Sequence, residues 1–324
     1  MSNSTSVPGI ASRTYRGAWW HASVASSVAL ALSIARLDAQ ERREFKELHM
    51  GMEVRIVLYA ADEARARSAA RAAFDEIAEL ENIMSDYRAE SELRRLERRP
   101  GEWVRVSEPL FCILARSVEI AEVTDGAFDP TVGPLVALWR ESRRTRRLPE
   151  PRKLDSARAL VGWRRIKMDT TGRRVRLTIP GMHLDLGGIA KGDIVQRAIV
   201  ELRTRGAPSA LVEAGGDIAV GDAPPGKQGW AISAGDSSFT IVNTNISTSG
   251  PETQFVEIGG VRYSHVVDPS TGLGLTNSST TIVIATDGAL ADALATALTV
   301  LGPEHARRVL ARYPGVRATL RPGR

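Results

Sequence analysis

The sequence predicts an α+β fold with mixed sheets and helices, and three patterns lead to this class. Residues 53–59 alternate between polar and apolar side chains, which is typical of a strand with one buried face. Asp62 then precedes a long stretch whose apolar residues recur every three or four positions, the spacing of one helix face. Gly259 and Gly260 separate two runs of strand-forming residues, which indicates a hairpin. Hairpins combined with strand–helix units favour α+β over a doubly wound parallel fold.

The other elements are predicted in the same way along the chain. Ser107 and Pro109 mark the start of a second helix that runs to about Thr124. Residues 141–158 are rich in arginine, proline and glutamate and are interpreted as a surface connection. The remaining expectations are a strand over 174–179, a strand that passes through a glycine pair into a helix over 182–202, strands over 210–213 and 280–285, and helices that begin at Gly288 and at Pro303.

Residues 1–39 differ from the remainder and are interpreted as an export signal. Arg13 and Arg16 precede an uncharged run over 22–35 that is short for a membrane-spanning helix, and cleavage is expected after Ala39. The alternative is a disordered or loosely helical start of a cytoplasmic protein. No cysteine follows the run, so we expect no lipid anchor. Export predicts a periplasmic protein, retained at the inner membrane if the segment is not cleaved, with one functional domain over residues 47–324.

Charge and cysteine content exclude several classes of function. The 43 basic and 38 acidic residues give a formal net charge of only +5. The basic stretch over 143–147 has no interleaved aromatic residues and no nucleic-acid-binding motif, so we interpret it as solvated surface and expect no nucleic-acid partner. The single cysteine, Cys112, excludes a disulfide framework and a multi-cysteine zinc site. Its apolar neighbours predict a buried thiol.

A glycine turn over residues 185–192 is the first candidate site. A strand is expected to end at Gly187 and Gly188 and a helix to begin, so that backbone N–H groups and the positive end of the helix face one point. Lys191 adds a positive charge, and these features together suit a phosphate. The pattern is neither a Walker motif nor a dinucleotide fingerprint, and many such turns contain glycine for geometry alone. Both interpretations stay open on the sequence.

Asp292 and Thr296 form the second candidate site. They are four residues apart, so their oxygen atoms project from the same face of an otherwise almost wholly apolar helix. A carboxylate on such a surface is costly unless it is paired or binds a cation. Carboxylate and hydroxyl oxygens suit Mg²⁺ that substrate phosphates and water complete. The alternative places Asp292 at the solvent edge, with Thr296 bonded back to its own helix.

The segment over residues 265–272 is the third candidate. A hairpin strand delivers His265, and the following Asp268-Pro269-Ser270-Thr271-Gly272 predicts a turn. An imidazole titrates near neutrality and suits a general base. The alternative is that Asp268 nucleates the turn while His265 merely packs.

Taken together, these blocks resemble the ApbE family, the FAD:protein FMN transferases, from about residue 48 to about residue 302. Their order along the chain is that of the family, and their conjunction is far more specific than any one of them. The blocks are His49-Met50-Gly51, residues 84–88 with 91–93, residues 126–135, residues 185–192 with 215–217, residues 248–250, residues 265–272 and residues 291–298.

The resemblance implies an ApbE-like, T-fold-like arrangement of two closely packed lobes, with FAD in a cleft between them. Met50 and Tyr87 are implied to contact the nucleotide, with the Tyr87 ring available for stacking. The residues implied to line the cleft or to hold ribose, phosphate or flavin groups are Ala127, Phe128, Asp129, Asp185, Lys191 and Val267.

The same resemblance implies Mg²⁺ bound by the side chains of Asp292 and Thr296, with the main-chain oxygens of Gly188 and Ala295 as further candidates. The implied reaction is attack of an acceptor threonine hydroxyl on the phosphorus at the FMN side of FAD, with AMP as the leaving group. Positioning and charge neutralisation do most of the work in such a transfer. His265 is the hypothetical base. The implied acceptor is a redox-pump subunit or an extracytoplasmic reductase.

The sequence departs from the family pattern at a few positions and leaves two rival functions open. Pro251 and Glu252 follow the Thr-Ser-Gly block where an aspartate is common, Met52 replaces a frequent threonine, and Asp193-Ile194 replaces a frequent Tyr-Ala pair. One rival is a FAD pyrophosphatase, in which water replaces the threonine and FMN and AMP are released. The other is a non-catalytic exported flavin-binding protein.

Overall fold

The computed structural model describes residues 40–250, 255–276 and 279–321, which contain fourteen strands and seven α-helices. The strands are β1 (Glu41–His49), β2 (Met52–Ala60), β3 (Val104–Arg105), β4 (Ile166–Asp169), β5 (Arg174–Leu177), β6 (Ala210–Ala214), β7 (Asp217–Val220), β8 (Trp230–Ala234), β9 (Ser237–Ile241), β10 (Thr244–Ser249), β11 (Phe255–Ile258), β12 (Val261–Ser264), β13 (Thr280–Ala285) and β14 (Arg317–Arg321). The helices are α1 (Glu63–Met84), α2 (Glu92–Glu97), α3 (Glu108–Val123), α4 (Gly133–Thr145), α5 (Pro151–Arg158), α6 (Ala190–Thr204) and α7 (Gly288–Leu310).

A seven-stranded sheet with the order β1-β2-β6-β7-β10-β13-β14 supports the fold. Every neighbouring pair in it is antiparallel. The α+β class is thus confirmed, but strand directions in this sheet are not mixed, because tight turns join β1 to β2 and β6 to β7 and such turns reverse the chain. The predicted two lobes are parts of one compact unit that begins at Glu41, ahead of the expected start at residue 47.

One face of the sheet is covered by α1, α6 and α7, and the main hydrophobic cluster lies between them. Asp62 caps α1 as predicted, because its carboxylate accepts the N–H of Arg65 at 2.8 Å. The apolar positions that predicted this helix are all buried: Ala66, Ala70, Ala73, Ile77, Leu80 and Met84. The sequence periodicity therefore identifies the face that α1 turns to the core.

The opposite face of the sheet is covered by the β8–β9 hairpin. Trp230, Ile232 and Ile241 pack there against the outward side chains of the central strands, such as Ile246 and Ile282. Alternate residues of these strands are thus buried on both faces.

A third cluster joins α4 to the β11–β12 hairpin. Leu135 and Trp139 of α4 pack with Val256 and Tyr263. The indole N–H of Trp139 donates to the carbonyl of Ser264 at 3.0 Å, and the Trp139 and Tyr263 rings meet edge to face at 5.4 Å. These contacts hold the first half of α4, up to its middle at Trp139, against the hairpin.

Two glycines allow α6 and α7 to approach each other closely. A Cβ atom on Gly192 would overlap the carbonyl oxygen of Gly288 and would lie 2.9 Å from the Cβ of Asp292, and a Cβ on Gly288 would overlap the carbonyl oxygen of Gly192. The contact fixes the first turn of α6 against the first two turns of α7. It therefore sets the position of the glycine turn relative to Asp292.

Most predicted elements are confirmed. The helix with Ser107 as its cap, the hairpin at Gly259-Gly260, and the strands over 210–213 and 280–285 are all present. The backbone also leaves helical geometry at Gly302, so that a new helical segment begins at Pro303 as expected.

Some predictions are wrong. Residues 141–158 are not a plain connection, because they contain the end of α4 and all of α5. No strand precedes the glycine pair, since residues 182–186 form hydrogen bonds outside any sheet ladder. The strand predicted over 174–179 ends at Leu177. Cys112 is exposed, because it lies on the outer face of α3.

The predictions for residues 1–39 and for Pro251 and Glu252 fall outside the described residues. Among the residues described, no helix combines the length and apolar character that crossing a membrane requires.

Replacing Gly192 with alanine is expected to lower the free energy of unfolding by about 1–3 kcal/mol, because the added methyl group has no space beside Gly288. Urea denaturation measures this change. Val200→Ala, at an exposed position of the same helix, is the control and is expected to stay within about 0.5 kcal/mol of wild type. Equal stability of Gly192→Ala and wild type would show that the two helices are not in close contact.

Candidate active site

Two tight turns lie side by side where strands β1, β2, β6 and β7 of the central sheet end or begin. Met50 and Gly51 form the two-residue turn between β1 and β2, and both have positive φ values, 53° and 73°. Gly215 and Gly216 form the turn between β6 and β7. Because β2 pairs with β6, the two turns are neighbours, and a Cβ on Gly215 would lie 3.2 Å from the sulfur of Met52. Met50 is half-buried here.

Lys191 interacts with two acidic side chains next to the Gly215-Gly216 turn. Its ammonium group forms an ion pair with Asp217, the first residue of β7, and lies 3.2 Å from the carboxylate of Asp292 on α7. Asp217 is also held by the hydroxyl of Ser247, which donates to it at 2.6 Å. The backbone N–H of Gly192 donates to Asp292 at 3.2 Å. The sheet, α6 and α7 thus each contribute one charged group to a single cluster.

The charged groups of this cluster do not balance, because two carboxylates face one ammonium group. Burial raises the pKa of Asp292 to about 7, and the neighbouring Asp217 carboxylate adds to the shift. Burial alone would lower the pKa of Lys191, but the two carboxylates outweigh it and raise the pKa, so the lysine stays charged. Two carboxylates therefore share one half-buried ammonium group. When both carboxylates are ionised, the negative charge left over favours a second cation at this point.

Thr296 and Gly188 lie next to this cluster. A Cβ on Gly188 would come 3.0 Å from the Thr296 hydroxyl oxygen, so the glycine turn rests directly on the helix face that carries Asp292. Within the described part of the chain, the Thr296 hydroxyl makes no hydrogen bond, whereas Thr299 bonds back to the carbonyl of Ala295 at 2.7 Å. Asp292 is only 5% exposed. Both observations contradict the alternative of a solvent-edge aspartate with a back-bonded threonine.

The donors at this point fit Mg²⁺. Asp292 supplies a buried carboxylate, and Thr296 supplies a hydroxyl whose lone pairs are not used. Hard oxygen donors of this kind, together with substrate oxygens and water, are what Mg²⁺ prefers. The Ala295 carbonyl already accepts the Thr299 hydroxyl, so it is a weaker candidate than the Gly188 carbonyl. In the described residues no group of three acidic, histidine or cysteine side chains forms a metal cage.

A second cluster surrounds Tyr87, a few residues beyond the end of α1. The Tyr87 side chain is 77% exposed, and the guanidinium of Arg140 lies 4.2 Å from the centre of its ring. Arg140 also donates to Asp86 at 2.7 Å and to Asp185 at 3.2 Å. Burial, with the nearby Asp86 carboxylate, raises the pKa of Asp185. Arg140 therefore orders the outer end of the predicted cleft.

Asp185 connects this cluster to the glycine turn. One of its carboxylate oxygens accepts the N–H of Gly187 at 2.8 Å while the other faces Arg140. Its backbone N–H donates to the carbonyl of Pro130 at 2.9 Å. A continuous path of contacts thus runs from Tyr87 to Gly188 and Thr296.

The loop over residues 127–131 has mainly a structural part in this arrangement. Phe128 is buried in the main cluster. The Asp129 carboxylate accepts the N–H and hydroxyl of Thr131, at 2.8 and 2.6 Å, and the N–H of Trp163 at 3.0 Å. Burial raises its pKa. Asp129 thus holds the loop that carries Ala127 and Pro130, and its oxygens are already satisfied.

His265 and Val267 lie directly after β12. Val267 is buried in the third cluster, and His265 is half-buried. The predicted turn is present, and Asp268 nucleates it as the alternative interpretation expected, because its carboxylate accepts the N–H and hydroxyl of Ser270 at 2.8 and 2.7 Å. The hairpin therefore presents His265 from a rigid turn.

Comparison with known proteins accounts for this combination of features. A family model described as the ApbE family matches residues 50–320. This chain belongs to the ApbE family. A relative from Klebsiella pneumoniae named FAD:protein FMN transferase is 33% identical over 263 residues, which covers 79% of this chain and 81% of the relative. One with the same name from Treponema pallidum is 31% identical over 297 residues and covers 84% and 82%.

Solved ApbE structures share the fold. The ApbE protein of Thermotoga maritima matches with a TM-score of 0.78 and 30% identity, covering 87% of this chain and 97% of that one. The flavinyl transferase ApbE of Pseudomonas stutzeri, in its apo form, matches with a TM-score of 0.76 and 27% identity, covering 86% and 90%.

Two residues of this ApbE chain were missed by the sequence-based site. Asp217 holds Lys191, and the signal was its place after the glycine pair in a block already quoted for the resemblance. Arg140 orders Tyr87 and Asp185, but nothing in the sequence marked it, because its role depends on partners 54 and 45 residues away. Of the predicted residues, Gly188, Lys191, Asp292 and Thr296 meet at one point, while Tyr87 and Asp185 meet at Arg140.

Replacing Lys191 with methionine is expected to cost about 3–5 kcal/mol of unfolding free energy, because Asp217 and Asp292 then face each other without a cation. Adding Asp292→Asn to this variant is expected to restore part of the loss by removing one charge. Urea denaturation in the presence of a chelator measures the cycle, with exposed Lys167→Met as the control. Additive losses for the two substitutions would show that Lys191 and Asp292 do not interact.

Proposed function

We propose that this chain is a Mg²⁺-dependent FAD:protein FMN transferase, which moves FMN from FAD to a threonine hydroxyl of a partner protein and releases AMP. The observation that carries the proposal is the meeting of Gly188, Lys191, Asp292 and Thr296. This point combines a cation, a buried carboxylate and the positive end of α6, which suits a pyrophosphate. The names of the relatives, FAD:protein FMN transferases, support the same reaction.

The reaction is a phosphoryl transfer in which atoms and charges balance. The threonine oxygen forms a bond to the phosphorus attached to riboflavin, and the anhydride bond between the two phosphates breaks. The bridging oxygen leaves with AMP, and the threonine proton passes to a base. Catalysis of this type depends on positioning and on stabilising the charge of the phosphates.

The residues of the chain supply that positioning. The start of α6 adds the positive end of a helix, although the N–H groups of Ala190 and Gly192 already donate to the carbonyl of Leu186 and to the carboxylate of Asp292. Lys191, held by Asp217, adds a fixed positive charge. Tyr87 offers an exposed ring beside Arg140 on which a flat heterocycle can stack.

Asp292 and Thr296 are the side chains that hold Mg²⁺ in this proposal, with the carbonyl of Gly188 close by. Mg²⁺ held there would offset the negative charge of the pyrophosphate and of the leaving group. Lys191, held by Asp217, contributes its own positive charge beside the phosphates. His265 is proposed as the base that takes the threonine proton.

Location and acceptor are also part of the proposal. We propose that the protein acts outside the cytoplasm, after export directed by residues 1–39, on a redox-pump subunit or an extracytoplasmic reductase. The uncharged run over 22–35 behind two arginines supports export.

The proposed reaction is tested with purified protein, FAD, Mg²⁺ and an acceptor protein that contains a flavinylation threonine. A flavin-fluorescent acceptor band in a denaturing gel is expected, and Asp292→Ala or a chelator is expected to abolish it. Glu304→Ala, at an exposed position of the same helix, is the matched control and is expected to leave the band intact. Release of AMP without a fluorescent band would identify the chain as a pyrophosphatase, and neither product would indicate flavin binding alone.

Replacing His265 with alanine tests the proposed base. A positioned base contributes about 10²–10⁴-fold, so the rate of transfer at saturating FAD and acceptor is expected to fall within that range. His305→Ala, on the exposed surface of α7, is the control. Single-turnover transfer measures both variants, and an unchanged rate in His265→Ala would remove the residue from this role.

A further inference from the structure

A cavity of about 600 Å³ lies between the C-terminal end of α4 and β11. One wall is formed by arginines of α4 and its C-terminal cap, and the other by three consecutive residues of β11. The lining residues are Arg140, Arg143, Arg144, Arg146, Phe255, Val256 and Glu257. The sequence had suggested that these arginines merely cover solvated surface. The structure instead gathers them around one concave site.

Three of these arginines carry charge that no described residue neutralises. Across the described residues, the side chains of Arg143, Arg144 and Arg146 form neither an ion pair nor a hydrogen bond. Arg140, by contrast, is balanced by Asp86 and Asp185. Among the described residues that line the cavity, Glu257 alone has a carboxylate. The cavity therefore has an excess of positive charge and suits a ligand with several negative charges.

The β11 wall offers features that suit a peptide. Of the strands described, β11 pairs with β12 alone, so its outer edge has backbone N–H and C=O groups that no strand uses. Phe255 is 47% exposed, and the guanidinium of Arg262 lies 3.6 Å from its ring centre. An extended segment can pair with such an edge and place an apolar side chain on such a ring.

The cavity is next to the proposed reaction site. Arg140 lies in its wall and donates to Asp185, which in turn accepts the N–H of Gly187 in the glycine turn. Both walls are also tied together, because Trp139 of α4 donates to Ser264 at the end of β12. A chain bound in the cavity therefore lies on a rigid surface beside the phosphates.

From these observations we propose that the cavity between α4 and β11 binds an acidic, extended segment of the acceptor protein and so delivers its threonine to FAD. This inference rests on the proposed function and adds the chemistry of the partner. Acidic side chains of the segment pair with Arg143, Arg144 and Arg146, and its backbone pairs with β11. A free phosphate or an anionic membrane shares only the negative charge and uses neither the strand edge nor Phe255.

The test uses two short fluorescein-labelled peptides that each contain one threonine, flanked by glutamates in one and by glutamines in the other. Fluorescence anisotropy with the full chain measures their binding at low and at physiological salt. The wild type is expected to bind the glutamate peptide more tightly, with an affinity that falls as salt rises. The double variant Arg143→Glu with Arg144→Glu is expected to weaken this binding at least about tenfold.

The matched control is Arg307→Glu with Arg308→Glu, an adjacent exposed arginine pair in the last turn of α7. It changes net charge by the same amount at an equivalent helix position, and it is expected to bind the glutamate peptide like wild type. Thermal unfolding and FAD binding are recorded for both variants and are expected to be unchanged, which separates loss of docking from loss of folding.

Several outcomes would overturn the inference. Equal affinity for both peptides, or equal loss in the two charge reversals, would show that the cavity does not select an acidic segment. Displacement of the glutamate peptide by inorganic pyrophosphate, to the extent that the negative charge of pyrophosphate alone predicts, would make the cavity a phosphate site. Binding to phosphatidylglycerol vesicles that depends on Arg143 and Arg144, without peptide binding, would make it a membrane contact. If the protein transfers FMN but does not bind the peptide, the docking proposal is wrong and the proposed function stands. If it binds the peptide but does not transfer FMN, the proposed function is wrong and the docking proposal stands.

Discussion

The close contact of α6 and α7 at Gly192 and Gly288 is the constraint on which the site depends. These helices bring the glycine turn, Lys191 and Asp292 together only because neither glycine carries a side chain. Each element is fixed to the sheet by its own apolar face, so the charged groups have little freedom to move apart. The geometry that we propose for pyrophosphate binding is therefore a consequence of packing in the core.

The electrostatics of the site follow from this packing. Two buried carboxylates face one lysine, and burial raises the pKa of Asp292. A buried cluster with an unbalanced charge is unfavourable by itself, and a divalent ion would turn its net charge positive and so favour the negatively charged phosphates. The ion pair with Asp217 would keep Lys191 at the site if Asp292 bound a metal. The same cluster thus contains the ion pairs of Lys191 in this structure and the groups proposed to bind the metal and the phosphates.

The sequence predicted local features well and distant ones poorly. Asp62, Ser107 and the Gly259-Gly260 turn act on their immediate neighbours, so their roles could be inferred from the chain alone. The convergence of Gly188 with Thr296 came from the family resemblance, because no periodicity relates residues so far apart. Arg140 was missed since its partners come from other segments. The basic stretch over 143–147 was interpreted as plain surface because only the fold places β11 opposite it.

Anomalous diffraction from crystals of the wild-type protein grown with FAD and Mn²⁺ tests the central claim most directly. The account predicts one strong manganese peak in contact with the Asp292 carboxylate, the Thr296 hydroxyl and the FAD phosphates, with Lys191 turned from Asp292 towards the substrate. A peak remote from Asp292, or FAD bound elsewhere while Lys191 still pairs with Asp292, would contradict it.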